Sequence, residues 1–139
     1  MLNSLQMALC DTQGQLFELA AERGYASETF IKEYMTSAVA ADMDKEFHHI
    51  QWAGKAYILS RMEDEFADQL VKVGEIYDKE ALYWMGYIYR YWHFYTGENS
   101  REIYKQAPAK TMNVVYLMYH TMSPEMAIDR LKEAYEKNQ

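Results

Sequence analysis

An aromatic run near the middle of the chain constrains the fold most strongly. Eight of the thirteen residues from Tyr83 to Tyr95 are Tyr, Trp or Phe. On a helix that turns about 100° per residue, the apolar positions cover nearly the whole circumference and leave one strip, which holds Gly86, Arg90 and His93. A helix that is apolar almost all round is buried. The pattern therefore predicts a buried aromatic helix over about residues 79–96, with the rest of the chain packed around it.

The rest of the sequence favours helices as well. With only six Gly and two Pro among 139 residues, breakers are scarce. Half of the residues are hydrophobic and a quarter are charged, which is the balance of a folded domain. Strand-like alternation and internal repeats are both absent from the sequence. We predict a single all-α domain, residues 1–139, of about six or seven helices around the aromatic one.

Apolar periodicity and capping signals predict where these helices lie. Gly24 is expected to end the first helix, and Asp78 and Ser100 are expected N-caps. The pair Ser123-Pro124 is the best start signal in the chain, an N-cap followed by proline at the first helical position. Residues 41–54 are interpreted as a loop plus a short helix. Predicted helices cover about 3–23, 28–40, 55–73 and 79–96, followed by a short one after Ser100, one after Pro108 and one after Pro124.

The net charge of −7 is unevenly distributed. Residues 1–76 carry thirteen acidic and six basic side chains, whereas residues 77–139 carry eight of each. An acidic surface repels nucleic-acid phosphates and attracts a basic partner. The charge pattern leaves two interpretations open, a dedicated site for a basic partner and an acidic surface that only keeps the chain in solution.

The single cysteine, Cys10, excludes an internal disulfide, so nothing in the chain requires an oxidising compartment. The first ten residues lack the basic start and long apolar run of a signal segment. The aromatic run is too short and too rich in tyrosine to span a membrane. We therefore expect a cytoplasmic protein without a transmembrane segment. With no basic residue beside it in sequence, Cys10 is predicted to be a buried structural residue and not a nucleophile.

Other chemical motifs are weak. On one helix, Asp42, Glu46 and His49 would share a face, the spacing that di-metal carboxylate bundles use, but such sites need a second Glu-x-x-His that this chain lacks. We predict no metal site and no cofactor, because hydrolase, phosphate-loop and dinucleotide motifs are also missing. Residues 100–120 resemble a helix-turn-helix in outline, but the second helix is too apolar for a DNA groove. Direct DNA binding is not expected.

The strip of Gly86, Arg90 and His93 is the best candidate for a site. A charge on a mostly buried helix must be paired or must face an opening. Arg90 therefore either ties helices together by binding a carboxylate or belongs to a ligand site. Tyrosine and arginine are also enriched in binding interfaces. The candidate binding residues are Arg90, His93, Tyr87, Arg101, Tyr104 and His120.

Several motifs in the second half of the chain carry a family resemblance. These are Leu82-Tyr-Trp-Met-Gly-Tyr-Ile-Tyr-Arg-Tyr-Trp-His93, Ser100-Arg-Glu-Ile-Tyr-Lys105, Ala107-Pro108, His120-Thr-Met122 and Ala127-Ile128. The pattern covers about residues 78–131 and resembles small bacterial proteins of unknown function. Such proteins occur in operons similar to toxin–antitoxin modules, some of them near ADP-ribosyltransferase-like toxin genes. The resemblance implies an interaction or neutralising protein and transfers no site residue.

Two functions follow from these observations. The first is a non-enzymatic, cytoplasmic protein that binds another protein with a basic surface, as an antitoxin-like or accessory subunit of such a module. The second is a small-molecule-binding or enzymatic helical domain with a pocket near Arg90, His93 and His120. A deep polar cleft would favour the second function, and an exposed Tyr/Met patch would favour the first.

Overall fold

The aromatic segment forms the central helix of the protein. A computed structural model describes residues 2–139, which contain no β-strand. The helices, in chain order, are α1 (Ser4–Glu22), α2 (Ser27–Met35), α3 (Ala38–Met43), α4 (Lys55–Phe66), α5 (Lys79–Thr96), α6 (Ser100–Gln106), α7 (Ala109–Tyr119) and α8 (Pro124–Lys137). A 3₁₀ turn, His49–Trp52, lies between α3 and α4. The predicted all-α architecture is confirmed, with eight α-helices in place of six or seven.

The most extensive helix contact joins α5 to α1, and two glycines make it possible. A Cβ atom on Gly86 would overlap the Gln13 carbonyl oxygen and lie 2.8 Å from the Gly14 Cα. A Cβ atom on Gly14 would lie 2.7 Å from the Tyr83 ring and 2.8 Å from its carbonyl oxygen. Only glycine permits backbones to approach this closely. The two helices therefore cross almost backbone to backbone.

Aromatic side chains fill the core beside this crossing. Phe17 of α1 packs edge to face on Tyr34 of α2, with ring centroids 5.8 Å apart, and on Tyr89 of α5, at 6.2 Å. Tyr89 and Trp92 are fully enclosed, and the Tyr89 hydroxyl donates to the Ala107 carbonyl oxygen at 2.5 Å. Edge-to-face pairs add to the free energy that burial of these large rings supplies.

The second predicted helix, 28–40, is divided in two. It ends at Met35, and a new helix begins at Ala38. The Ser37 hydroxyl donates to the Tyr34 carbonyl oxygen at 2.6 Å and accepts the Ala40 amide at 3.2 Å. Such local side-chain bonds compete with the helical pattern, so Ser37 ends α2 and caps α3.

The helix predicted over 55–73 stops at Phe66, because the residues that follow bind the start of α2. The Ala26 amide donates to the Val71 carbonyl oxygen at 2.8 Å, and the Ser27 amide donates to the Glu75 carbonyl oxygen at 3.0 Å. In return, the Ser27 hydroxyl accepts the Tyr77 amide at 3.0 Å. These bonds satisfy amides at a helix start that has no side-chain cap.

One of the expected N-caps is wrong, one is confirmed in position only, and one is confirmed in full. Asn99, not Ser100, caps α6 and forms a reciprocal capping box with Glu102. Asp78 stands at the N-cap of α5, but its side chain accepts no helix amide. Ser123 caps α8 with Pro124 at the first position, as expected.

Candidate functional site

The polar strip of α5 faces the interior of the protein. Gly86 and Arg90 are buried against α1, and His93 is half-buried near Asp44, which follows α3. The sequence left open whether this strip faces an opening. Because Gly86 allows α1 to approach so closely, the strip is covered by α1 and the end of α3.

Arg90 lies at the centre of a closed hydrogen-bond network. Its guanidinium donates to Asp44 Oδ1 at 2.6 Å, to Gln13 Oε1 at 2.8 and 3.1 Å, and to the Ser100 hydroxyl at 3.3 Å. Asp44 also accepts the backbone amide and the hydroxyl of Ser100, at 2.8 and 2.7 Å. Gln13 is held in turn by Tyr34 and by the Gly86 carbonyl oxygen. No buried side-chain polar atom among residues 2–139 lacks a partner.

The network gives Arg90 a structural role. Burial by itself would lower the pKa of the guanidinium, but Tyr34 and Asp44 outweigh that effect and raise it. Arg90 therefore stays charged inside the protein and joins α1, α5, α6 and the end of α3. The sequence left two roles open for Arg90, and the observed contacts match the one in which it joins helices by binding a carboxylate.

A groove opens on the other side of α5. Its volume is about 580 Å³, and it lies between α5 and α7 with Glu18 of α1 at its edge. The lining includes Tyr87 and His120, two of the predicted binding residues. The remaining lining side chains are Glu18, Glu80, Tyr83, Trp84, Ile88, Tyr116, Met122 and Pro124. Half-buried aromatic rings therefore form much of its surface.

The rings in the groove hold one another in place. Trp84 meets Tyr116 edge to face, with centroids 5.7 Å apart, and Tyr116 stacks on the His120 ring at 4.5 Å. His120 Nδ1 lies 2.8 Å from the Tyr116 carbonyl oxygen, so that nitrogen carries the proton and donates the hydrogen bond. Tyr83 and Tyr87 lie side by side on α5, with centroids 6.0 Å apart.

Acidic side chains lie in and beside the groove. Burial raises the pKa of the Tyr83 phenol, and the hydrogen bond that it donates to Asp11 at 2.5 Å and the charges of Asp11 and Glu18 raise it further. Burial also raises the pKa of Tyr87, again with a contribution from Asp11. Both phenols therefore remain neutral near pH 7, and Glu18 and Glu80 supply negative charge to the lining of the groove.

The other predicted binding residues lie elsewhere. His93 lines a separate depression of about 500 Å³ with Phe47, Trp52 and Phe94, and its Nδ1 lies 2.7 Å from the Glu98 carbonyl oxygen. Arg101 is exposed on α6, where it donates to the Thr36 carbonyl oxygen. Tyr104 is half-buried and packs near Tyr89.

A pocket that includes Arg90, His93 and His120 together is not formed. His93 and His120 line separate depressions, and Arg90 is fully buried. His93 lies nine residues beyond Trp84 on α5, which is about 14 Å along the helix axis. His120 lines the groove together with Trp84, so about half the length of α5 separates the two histidines.

Helix α7 exposes an apolar face. Val114, Leu117 and Met118 are 71, 79 and 63% exposed, and they share one side of the helix at the spacing i, i+3 and i+4. Leu117 stands about 60° around the helix from His120, so this face adjoins the groove. No sequence motif marks these residues, although the run Val114-Val115-Tyr116-Leu117-Met118 is more apolar than one buried face requires.

Neither Cys10 nor the Asp42 segment forms a reactive centre. Cys10 is fully buried, as predicted, and burial raises the pKa of its thiol to about 12. Asp42 binds Lys45 and Arg61, while α3 ends before Glu46, so Asp42, Glu46 and His49 share no helix face. Within residues 2–139, no group of three or more His, Cys, Asp or Glu side chains is placed to hold a metal ion.

The helices between residues 2 and 139 include none that combines the length and apolar character needed to cross a membrane.

Comparison with protein-family models, with curated proteins and with solved structures finds no match.

Proposed function

We propose that this chain is a non-enzymatic, cytoplasmic protein that binds another protein through α7 and the groove beside it. The exposed face of Val114, Leu117 and Met118 carries the proposal. Isolated apolar residues are common on protein surfaces, but a contiguous apolar patch typically marks an interaction site. Here the patch adjoins a groove rich in tyrosine and tryptophan, the residues that dominate binding energy in interfaces.

The charge of the same surface supports a basic partner. Glu18 and Glu80 lie at the edge of the groove, and no Lys or Arg among residues 2–139 lines it. The first half of the chain also carries the whole net negative charge. Complementary charge speeds the encounter of two proteins and disfavours wrong partners.

The resemblance of residues 78–131 to proteins of toxin–antitoxin-like operons is consistent with this role. The residues that carry it include much of α5 and the turn after α7, residues 120–122, and both segments contribute to the groove. In this proposal the protein is the antitoxin-like or accessory subunit of such a module and binds the partner encoded beside it.

Affinity-tagged protein, expressed in its native cell, provides the test. We expect a stoichiometric partner to co-purify at moderate salt. Leu117→Ser combined with Met118→Ser is expected to lower its affinity by about tenfold, because the pair removes the centre of the apolar patch. Val73→Ser is the matched control, since Val73 is 89% exposed in a different part of the fold.

Both variants remove only exposed apolar groups, so both are expected to fold, and the two serines on α7 are expected to lower the free energy of unfolding by less than about 1 kcal/mol. Equal retention of the partner by the Leu117/Met118 variant and by the Val73 variant contradicts the proposed surface. Purification of the protein alone, with no partner at any salt concentration, contradicts the proposed function itself.

A small-molecule-binding or enzymatic domain is the second candidate. The groove volume of about 580 Å³ favours it, because ligand pockets of about 300–1,000 Å³ are common in proteins. In this case a natural ligand occupies the groove, and the protein purifies without a partner but with that ligand bound.

A further inference from the structure

The walls of the groove suit a flat, positively charged group. Trp84, Tyr87 and Tyr116 are each only half-buried, so part of each ring faces the groove. The faces of aromatic rings attract cations through their quadrupole, most strongly for Trp. A planar guanidinium also stacks on such rings, which a compact ammonium group cannot do.

The two glutamates at the groove are available for a partner. Glu18 and Glu80 form no ion pair with a Lys, Arg or His side chain within residues 2–139. Glu22 and, to a smaller extent, the charge of Glu18 raise the pKa of Lys79. The Lys79 ammonium forms its ion pair with Glu22, at 2.6 Å. Carboxylate and aromatic groups therefore meet in one groove without an internal cation between them.

We propose that the groove between α5 and α7 receives an arginine side chain of the protein partner, stacked on Trp84 and paired with Glu18 or Glu80. This inference rests on the proposed function and assigns the chemistry that the partner presents. The exposed face of α7 supplies apolar contact beside the groove, and the groove supplies the charge selectivity.

Other occupants fit the same walls less well. An anion is repelled by both glutamates. An uncharged apolar group would remove water from those carboxylates without giving them a partner, which costs free energy. Arginine provides stacking and paired hydrogen bonds together.

N-acetyl-arginine methylamide tests this inference directly. Three tryptophans, at positions 52, 84 and 92, give the indole N–H signals in a ¹⁵N-labelled sample. We expect the Trp84 signal, assigned with Trp84→Phe, to shift and saturate during titration. N-acetyl-citrulline methylamide has nearly the same shape without the charge, and it is expected to leave that signal in place. Trp52 lies outside the groove, so its signal serves as the internal control.

Charge variants complete the experiment. At least one of the variants Glu18→Gln and Glu80→Gln, the one that removes the paired carboxylate, is expected to weaken binding of the arginine probe by about twofold to fivefold, the range for ion pairs open to solvent. The matched control is Glu133→Gln, an exposed position of α8 outside the groove. Equal responses to arginine and citrulline, an unsaturated Trp84 shift, or unchanged binding in both glutamine variants overturn the inference.

The outcome is separable from that of the proposed function. A partner lost from the Leu117/Met118 variant but retained by the double variant Glu18→Gln with Glu80→Gln supports the proposed function and overturns the arginine site. Binding of the arginine probe without any co-purifying partner supports a cation-binding groove and contradicts the protein-binding role.

Discussion

At the scale of single residues, Arg90 shows how a buried charge is accommodated. A guanidinium on an almost entirely apolar helix must find partners, and that requirement was visible in the sequence. The partners were not visible, because Gln13 and Asp44 lie 77 and 46 residues away in the chain. Loop conformation and helix crossing bring them together.

Replacement of Asp44 by Asn is expected to destabilise the protein strongly. The amide keeps the shape of the side chain but leaves Arg90 as a buried charge without a carboxylate partner. Its NH₂ group would also face the N–H and O–H donors of Arg90 and Ser100. Loss of one partner of a buried ion pair typically costs about 3–5 kcal/mol. Urea denaturation, followed by far-ultraviolet circular dichroism, measures the change in the free energy of unfolding.

Asp42→Asn is the matched control for this prediction. Asp42 also binds an arginine, Arg61, but these two side chains are 18 and 23% exposed, against 11 and 1% for Asp44 and Arg90. Because Arg61 is better solvated than Arg90, loss of its partner is expected to cost less free energy of unfolding. If the Asp42 and Asp44 variants lose equal free energy of unfolding, the Arg90 network does not stabilise the fold more than the Arg61 ion pair does.

At the scale of secondary-structure elements, two glycines decide how α1 and α5 pack. Helix propensity disfavours glycine at both positions by about 1 kcal/mol relative to alanine. The close crossing compensates, because it brings the aromatic core and the Arg90 network together. A glycine inside a helical pattern therefore indicates a packing role even when no motif accompanies it.

Gly86→Ala is expected to lower the free energy of unfolding by about 1–3 kcal/mol. The new methyl group would meet the Gln13 carbonyl oxygen and the Gly14 Cα, and helix backbone cannot move aside as a flexible side chain can. Chemical denaturation of the variant and the parent protein measures the difference. Helix propensity alone predicts the opposite sign, so a more stable variant contradicts the close crossing.

At the scale of the whole molecule, Glu98 connects three helices near the C-terminal end of α5. Its carboxylate accepts Trp92 Nε1 at 2.8 Å, Gln106 Nε2 at 2.7 Å and Lys132 Nζ at 2.7 Å. Burial by itself raises the pKa of Glu98, but these hydrogen bonds outweigh burial and lower it from 4.5 to about 2. The ionised carboxylate is therefore bound more strongly in the folded state than in the unfolded chain.

This shift predicts how stability depends on pH. Because the folded pKa is depressed, the contribution of Glu98 is fully present above pH 4.5 and is lost as the pH falls from 4.5 to about 2. At pH 7 the free energy of unfolding of Glu98→Gln is expected to be lower than that of the parent protein by up to about 3 kcal/mol. The difference is expected to vanish as the pH approaches about 2.

Urea denaturation at a series of pH values checks this dependence, with Glu133→Gln, which replaces an exposed glutamate of α8, as the control. A Glu98 variant whose stability follows that of the parent protein at every pH contradicts the assignment. The control variant is expected to keep the full pH dependence.

The ends of the helices show where neighbouring residues alone do not predict the structure. The capping motif at Ser123-Pro124 uses neighbouring residues alone, and α8 begins where it predicts. The end of α4 depends on backbone bonds between residues 71–75 and the start of α2, more than forty positions away. The apolar spacing continues past Phe66, but the backbone of residues 71–75 binds the start of α2, so the helix ends earlier than the spacing predicts.

The sequence by itself determined the all-α class, the central position of the aromatic helix and the burial of Cys10. These properties follow from periodicity, composition and local caps, which act over one or two helical turns. Tertiary structure alone decided that the polar strip of α5 faces inward and that Trp84, Tyr87 and His120 share a groove. Both results depend on the Gly14–Gly86 crossing and on which side of α5 receives α7, and such long-range contacts leave no fixed spacing in the chain.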